Sequence, residues 1–220
     1  MPMAAAVQSV VECRENGPLI AAVAQLWIKP EDLVLDVTYG LGLFWTRYRP
    51  ERLIVHDLAI DDVDFRQLPE ADASIDVVVF DPPYIPQGGR EASTIRKTSG
   101  IRSGGRQEVG FLERYGLVDG PRTVPELEAL FAGGMKEATR VLRPGGRLLV
   151  KCMDYVSSGR YNASRHFVVA SALELGLRQV DEFVHYSGVG AQPEIPVQYH
   201  SRRAHSFLCV FQAPTRRRRP

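Results

Sequence analysis

The chain has 220 residues, of which 45% are hydrophobic, so it can bury one sizeable core, and a single globular α/β domain is favoured. Its 27 basic and 26 acidic residues nearly cancel, so net charge neither indicates nor excludes a nucleic-acid partner. No apolar run approaches the roughly 20 residues of a membrane helix, and the three scattered cysteines have no metal-binding or disulfide spacing. We therefore expect a cytoplasmic protein without a membrane segment, with reduced thiols.

The first part of the chain predicts a helix followed by two short strands. Apolar residues recur at helical spacing over 18–28, and the runs 33–37 and 53–56 are typical of short buried strands. Residues 7–14 fit either a short strand or an irregular arm. The two strands, each with an acid at or after its end and a glycine-bearing crossover between them, predict the opening of a doubly wound α/β sheet.

The second part of the chain alternates strands and helices around one long irregular segment. The valine-rich run 75–80 predicts a central parallel strand covered on both faces. Residues 85–120 are glycine-rich and carry no strong period, which is typical of a lid, a binding loop or a disordered segment. The remaining predicted elements are helices over 124–142 and 165–175, strands over 147–152, 179–186 and 206–211, and a loop over 188–205. We expect one domain over 1–213 and a disordered basic tail over 214–220.

Acids and glycines surround the first two predicted strands. Asp36 ends the first strand and precedes Gly40 and Gly42, and Asp57 follows the second strand. Such glycines let the backbone approach a cofactor, and the second acid can accept hydrogen bonds from ribose hydroxyls, although a tight turn and a loop cap would use the same residues. Trp45 replaces the third glycine of the dinucleotide pattern, which counts against nicotinamide and flavin enzymes. No Gly-Lys-Ser/Thr follows, which excludes a P-loop.

The run 75–80 ends abruptly at Asp81-Pro82-Pro83-Tyr84. These residues could simply terminate the strand, with the prolines as breakers and Tyr84 packed on the core edge. Alternatively, Asp81 and the carbonyl of Pro82 form paired acceptors for a planar group, and Tyr84 supplies a stacking face. Proline fixes the backbone, so such acceptors would be held at low entropic cost.

Together these motifs resemble the S-adenosylmethionine-dependent amino-methyltransferases of the DPPY-type adenine-specific DNA methylase family. The order Asp-x-x-x-Gly-x-Gly, an acid after the next strand, and then Asp-Pro-Pro-Tyr covers 33–84, and 142–150 resembles a later strand entry of that fold. The chain departs from the commonest pattern at Val37-Thr38-Tyr39 and at Leu43-Phe44. The resemblance implies a Rossmann-like, seven-stranded, mostly parallel sheet of the class I methyltransferase type.

The resemblance also implies a role for each matching residue. The cofactor S-adenosylmethionine would be bound by Asp36, Thr38, Gly40, Gly42, Asp57, Asp64 and Phe65. The catalytic residues that hold the target amine would be Asp81, Pro82, Pro83 and Tyr84. In a duplex, the target base would be flipped out and stacked on Tyr84.

Nucleic acid is the expected substrate, and DNA is favoured over RNA. Basic side chains suited to phosphate contacts gather in the glycine-rich segment, at Arg90, Arg96, Lys97, Arg102 and Arg106. A solvated loop explains these charges nearly as well. The alternatives are methylation of adenine or guanine amino groups in RNA, and a catalytically inactive, methyltransferase-like nucleic-acid-binding subunit. The histidines near the last strands lack a second ligand at standard spacing, so no metal is expected.

Overall fold

A computed structural model describes residues 6–83, 121–188 and 197–215. Within these ranges the chain forms one seven-stranded sheet, one two-stranded hairpin and three α-helices. The strands of the large sheet are β1 (Val10–Glu12), β2 (Leu33–Asp36), β3 (Arg52–Val55), β4 (Ile75–Phe80), β5 (Leu142–Cys152), β8 (Arg178–Tyr186) and β9 (His205–Gln212). The hairpin consists of β6 (Tyr155–Ser157) and β7 (Arg160–Asn162), and the helices are α1 (Asn16–Trp27), α2 (Val124–Val141) and α3 (Ser164–Glu174).

The strand order of the large sheet is β1-β8-β9-β5-β4-β2-β3. β9 lies antiparallel between β8 and β5, and every other neighbouring pair is parallel. The sequence-based prediction of a Rossmann-like, seven-stranded, mostly parallel sheet is therefore confirmed. The carboxyl ends of β3, β2, β4 and β5 lie side by side at one edge, where ligands of this architecture bind.

Helices cover both faces of the sheet. On β4, Val77 and Val79 pack toward the α1 layer, whereas Val78 and Phe80 pack into the larger cluster with α2 and α3. Successive side chains of a strand point to opposite faces, so a strand covered on both sides must be apolar at nearly every position. Burial of each such side chain stabilises the fold by about 1.5–3 kcal/mol. This explains why the run 75–80 is valine-rich.

The strand β5 begins five residues earlier than the predicted range 147–152. Leu142 pairs with Ile75, and the pairing then jumps to Arg147 with Val77, so the intervening Pro-Gly-Gly forms an irregularity within the strand. Gly145 adopts a φ of 78° and donates its N–H to the carbonyl of Pro214 at 3.1 Å. A left-handed backbone favours glycine, which accounts for its presence here.

Three local features complete the comparison with the predicted elements. The undecided segment 7–14 contains the short strand β1, which pairs with β8. The crossover between β2 and β3 contains only a 3₁₀ turn, Leu43–Thr46. The hairpin β6–β7 was not predicted, although Ser158 and Gly159 at its tip, both with positive φ, are a known two-residue turn signal.

No helix within the described ranges is long and apolar enough to cross a membrane. In the same part of the chain, no group of three or more His, Cys, Asp and Glu side chains is arranged to hold a metal ion.

Candidate active site

Three acids and one lysine meet at the carboxyl edge of the sheet. Asp36 is the last residue of β2, Asp57 follows β3 and Asp81 follows β4, while Lys151 is the penultimate residue of β5. The strand register places these ends close together, since Asp36 aligns with Val79 and Phe80 aligns with Val150. Each of the four residues is at least nine-tenths buried.

Asp36 accepts one hydrogen bond at each of its two carboxylate oxygens. Its Oδ1 accepts the backbone N–H of Thr38 at 3.0 Å, and its Oδ2 accepts the indole N–H of Trp45 at 2.7 Å. Burial raises the pKa of Asp36 to about 7, although the two hydrogen bonds oppose this shift. The side chain therefore fixes the turn after β2, and Trp45, which breaks the dinucleotide pattern, has a structural role as its partner.

Thr38 connects the ends of β2 and β4. Its N–H binds Asp36, and its hydroxyl accepts the backbone N–H of Asp81 at 2.8 Å. The start of the Asp-Pro-Pro segment is thereby positioned relative to the glycine turn. The sequence-based prediction placed Thr38 only among the cofactor-binding residues, and its link to Asp81 requires the tertiary structure.

Asp57 ties the glycine turn to the end of β3. Its Oδ2 accepts the N–H of Gly40 at 2.9 Å, and its Oδ1 accepts the N–H of Ala59 at 2.9 Å. Gly40 and Gly42 have φ values of 52° and 67°, which favour glycine. A carboxylate has about four lone-pair directions, so Asp57 retains capacity for further donors such as ribose hydroxyls.

Four of the residues predicted to bind the cofactor line one narrow cleft. Its walls include Thr38, Asp57, Asp64 and Phe65, together with Val37, Leu58, Arg66 and Leu130. Asp36, Gly40 and Gly42 are not part of this lining and lie in the turn beside it.

The cleft is lined by an apolar ring, Phe65, and by a charged pair, Asp64 and Arg66. Phe65 packs edge-to-face on Phe80 with ring centroids 5.0 Å apart, so it offers a fixed apolar surface. Asp64 is held by Arg66, whose Nη2 lies 2.6 Å from Asp64 Oδ2, and this pairing lowers the pKa of Asp64. Both side chains of the pair are partly exposed, so they can rearrange at modest cost.

Asp81 contrasts with Asp36 because one of its oxygens is unsatisfied. Asp81 is 8% exposed, and its Oδ1 is buried with no hydrogen-bond partner among the described residues. The Nζ of Lys151 lies 3.9 Å from that oxygen. Burial raises the pKa of Asp81, and the positive charge of Lys151 partly offsets this effect. An unsatisfied buried carboxylate oxygen is costly, so this oxygen is a candidate ligand acceptor.

Lys151 was not predicted as a site residue. Its side chain is 4% exposed, and its Nζ donates to Asn16 Oδ1 at 2.8 Å and lies 5.7 Å from the centroid of the Phe44 ring. Lysine is almost never fully buried unless it is paired. A lysine within the otherwise apolar stretch of β5 was therefore the sequence signal that could have identified it.

A histidine bridges two further acids behind Asp57. His56 Nδ1 lies 2.5 Å from Asp61 Oδ2, and Nε2 lies 2.8 Å from Glu70 Oε1, so each ring nitrogen faces a carboxylate. Burial opposes protonation, but these two bonds outweigh it and raise the pKa of His56. Asp61 Oδ1 also accepts the N–H of Asp57 at 2.9 Å. This arrangement stiffens the loop that carries Asp57.

The remaining predicted residues fall into two groups. Pro82 and Pro83 are buried directly after Asp81. Tyr84 and the basic residues lie outside the described residues, and their roles stay predictions; the latter are Arg90, Arg96, Lys97, Arg102 and Arg106.

Comparison with known proteins gives similarity at the level of structure. No family model and no curated protein matches the sequence. A candidate methyltransferase from Bacillus halodurans C-125 superposes with a TM-score of 0.52 at 15% identity, covering 89% of this chain and 99% of the other. The chain has the class I methyltransferase fold.

Two further solved structures are more distantly similar. A candidate DNA modification methylase from Thermus thermophilus, complexed with S-adenosyl-L-methionine, gives a TM-score of 0.42 at 19% identity and covers 71% of this chain. The PvuII cytosine-N4-specific DNA methyltransferase gives 0.40 at 16% identity, covering 66% of this chain and 46% of its own. The chain spans 53–56% of the length of the Thermus structures.

Proposed function

We propose that this chain transfers a methyl group from S-adenosylmethionine to an exocyclic amino nitrogen, with N6 of adenine in DNA as the favoured target. The observation that carries the proposal is the buried Oδ1 of Asp81 at the carboxyl edge of the sheet, which has no hydrogen-bond partner among the described residues. Asp81 is the first residue of the Asp-Pro-Pro-Tyr motif, and its backbone N–H binds the hydroxyl of Thr38, which lies in the glycine turn. The aspartate at this position, rather than serine, favours adenine over cytosine within the resembling family.

The residues around the glycine turn fit S-adenosylmethionine. Asp57 can accept from ribose hydroxyls, Asp64 can accept from an adenine amine once Arg66 moves aside, and Phe65 offers an apolar face in the same cleft. A Cβ at Gly42 would lie 2.6 Å from the Tyr39 hydroxyl, so a side chain there would displace the Tyr39 ring, and the φ of 67° also favours glycine. The bound cofactor supplies a methyl group activated on a sulfonium.

The paired acceptors explain how a poor nucleophile can be used. The lone pair of an exocyclic amine is delocalised into the aromatic ring, so the amine must become tetrahedral before it gains a methyl group. Asp81 Oδ1 and the Pro82 carbonyl would each accept one N–H of the amine and so favour that geometry. Acceptors that are already in place need no reorganisation during the reaction.

Lys151 would keep Asp81 ionised, which is the form that can accept a hydrogen bond at each oxygen. An ionised Asp81 accepts hydrogen bonds at both oxygens, whereas its protonated form would compete as a donor. The ammonium at 3.9 Å favours the ionised form against the effect of burial. After methylation, the nitrogen loses one proton, and the raised pKa of Asp81 makes that carboxylate a suitable acceptor.

The direct test is incubation with methyl-labelled S-adenosylmethionine and separate pools of DNA, RNA and protein, followed by nucleoside analysis. Label in N6-methyladenine from DNA would support the proposal, and Asp81→Ala should abolish it. Asp72→Ala, an exposed acid outside the motif, serves as the matched control. Label in adenine or guanine of RNA would instead identify RNA as the substrate. Label in protein alone would overturn the assignment of a nucleobase as the methyl acceptor.

Nucleic-acid binding provides a second test. If basic side chains contact phosphates, affinity for DNA should fall steeply as salt increases, because counterions are released on binding. Binding that does not respond to salt would contradict this part of the proposal.

A further inference from the structure

A second cavity lies beyond the carboxyl end of β5, apart from the Asp81 site. It has a volume of about 200 Å³ and is enclosed by the start of α2, the β6–β7 hairpin and the start of α3. Four aromatic side chains line it, namely Phe131, Tyr155, Tyr161 and Phe167. Drug-sized ligand pockets range over roughly 300–1,000 Å³, so this cavity suits a smaller planar group.

Two hydroxyl-bearing side chains line this cavity and have no hydrogen-bond partner among the described residues. Tyr155 is 4% exposed and Ser164 is 9% exposed, and both line the cavity. Neither side chain makes a hydrogen bond within the part of the chain that the structure describes. Because both side chains line the cavity and neither hydroxyl bonds to the protein, both can donate to or accept from a polar ligand there.

A carboxylate completes the polar side of the cavity. Glu128, on α2, lines the same space and makes no ion pair or hydrogen bond with any described residue. Burial, with a smaller effect of the Glu128 charge, raises the pKa of Tyr155 to about 12. Tyr155 is therefore a hydrogen-bond donor at neutral pH, and Glu128 is an acceptor beside it.

The rim of the cavity is both rigid and basic. Tyr161 donates its hydroxyl to Asp154 Oδ2 at 2.6 Å, and Asp154 Oδ1 accepts the N–H of Arg165 at 3.0 Å. The Arg203 guanidinium stacks on the Tyr161 ring, 4.9 Å from its centroid, and the exposed Arg160 precedes Tyr161. Stacked rings and guanidinium groups are how proteins hold single-stranded nucleic acid.

We infer that this cavity is a pocket for one nucleobase with an exocyclic amine, distinct from the base that is methylated at Asp81. The amine would donate to Glu128, the Tyr155 hydroxyl would donate to a ring nitrogen or carbonyl, and the exposed parts of the Tyr161 and Phe167 rings would flank the base. The basic rim would meet the adjoining phosphate. That the base belongs to a nucleic acid rather than a free nucleoside rests on the proposed function.

The test uses the full chain and fluorescein-labelled dA12, dC12 and dT12, with affinity measured by anisotropy at fixed salt. Wild type should prefer dA12 and dC12, because thymine lacks an exocyclic amine. Tyr155→Phe and Glu128→Leu, which remove the donor and the acceptor respectively, should each weaken binding of dA12 by about tenfold and of dT12 less than about twofold. Tyr186→Phe, at a partly exposed tyrosine outside the cavity, is the matched control and should bind like wild type.

Free adenosine is titrated in parallel against the same variants to identify the source of the base. Variants that bind dA12 and dT12 as wild type does, with unchanged melting temperature, would overturn the pocket but leave methyl transfer at Asp81 intact. Binding of adenosine that Tyr155→Phe abolishes, without any binding of oligonucleotides, would support the base pocket and overturn its nucleic-acid source. A wild-type chain that binds neither probe would overturn the inference, and labelled methyl transfer then decides the proposed function separately.

Discussion

The ends of the strands β2 and β4 carry two buried aspartates with opposite hydrogen-bonding status. Asp36 receives an N–H at each carboxylate oxygen, from Thr38 and from Trp45. Asp81, connected to Asp36 through Thr38, has a buried oxygen that receives none from the described residues and has only an ammonium 3.9 Å away. The first arrangement stabilises a turn, and the second leaves an acceptor open for a ligand.

The pKa of each aspartate is raised, so a shifted pKa alone does not separate the two roles. The two roles differ in the donors: protein N–H groups bind both oxygens of Asp36, whereas none of the described residues donates to Oδ1 of Asp81. A protein that satisfies a buried carboxylate internally gains stability, whereas one that leaves an oxygen open gives up stability that a ligand can restore. Substitution of Asp36 should therefore lower mainly the stability of the fold, whereas substitution of Asp81 should lower mainly the rate of methyl transfer.

The largest expected effect is on catalysis at Asp81. Asp81→Ala should lower methyl transfer by about 10²–10³-fold, because it removes an acceptor aimed at the reacting amine. Binding of S-adenosylmethionine should stay within a few-fold of wild type, and the free energy of unfolding within about 1 kcal/mol. Labelled transfer, calorimetric cofactor titration and urea unfolding measure the three quantities. Near-wild-type transfer would show that the site assignment is wrong.

Asp36→Ala should act mainly on stability. It leaves the indole N–H of Trp45 and the backbone N–H of Thr38 without acceptors, which should cost about 2 kcal/mol in urea unfolding. Asp72→Ala, which loses only the exposed ion pair with Arg140, should change stability by less than about 1 kcal/mol. If Asp36→Ala and Asp81→Ala destabilise the chain equally, the distinction between the two strand ends fails.

Lys151→Met should shift the pH dependence of transfer. Without the ammonium, the pKa of Asp81 rises further, so the acid limb of the pH–rate profile moves to higher pH and transfer at neutral pH falls about tenfold. The reference variant is Lys136→Met, which removes an exposed lysine from α2. An unchanged acid limb would mean that Lys151 does not control the ionisation of Asp81.

Trp45→Phe should give the smallest effect, and one that depends on pH. Because the pKa of Asp36 is raised to about 7, the stability that this group contributes is present below its unfolded pKa and is lost as pH rises through about 7. Loss of the indole donor raises this pKa further, so the variant should be about 1 kcal/mol more destabilised at about pH 9 than at about pH 5.

Trp27→Phe is the matched control for this pH dependence. It removes a similar indole hydrogen bond, 2.7 Å long, to the half-buried Asp181. Its cost in urea unfolding should be nearly the same at the two pH values. A pH-dependent cost of equal size for both variants would contradict the explanation.

Much of the fold was predictable because it depends on local patterns. The apolar run of β4, the helical spacing of α1 and α2 and the acids at strand ends each follow from the period of their element. The start of β5 was not predicted, since it depends on pairing with β4, and the hairpin β6–β7 was overlooked although its turn signal is local. At the site, the role of Lys151 was missed because it acts on Asp81, which is distant in sequence. The role of Trp45 was missed because its bond to Asp36 depends on how the turn between them folds.

The sequence by itself determined the sheet class, the order of the motifs and the acids that follow β2, β3 and β4. These are properties of short stretches, in which side-chain period and turn residues carry the information. Only the tertiary structure decided which acid is satisfied and which is open, because hydrogen bonds between strand ends depend on register and burial. The same reason explains why the cavity beside β6–β7 became visible only when residues 127–131 and 155–167, which are apart in sequence, were assembled around it.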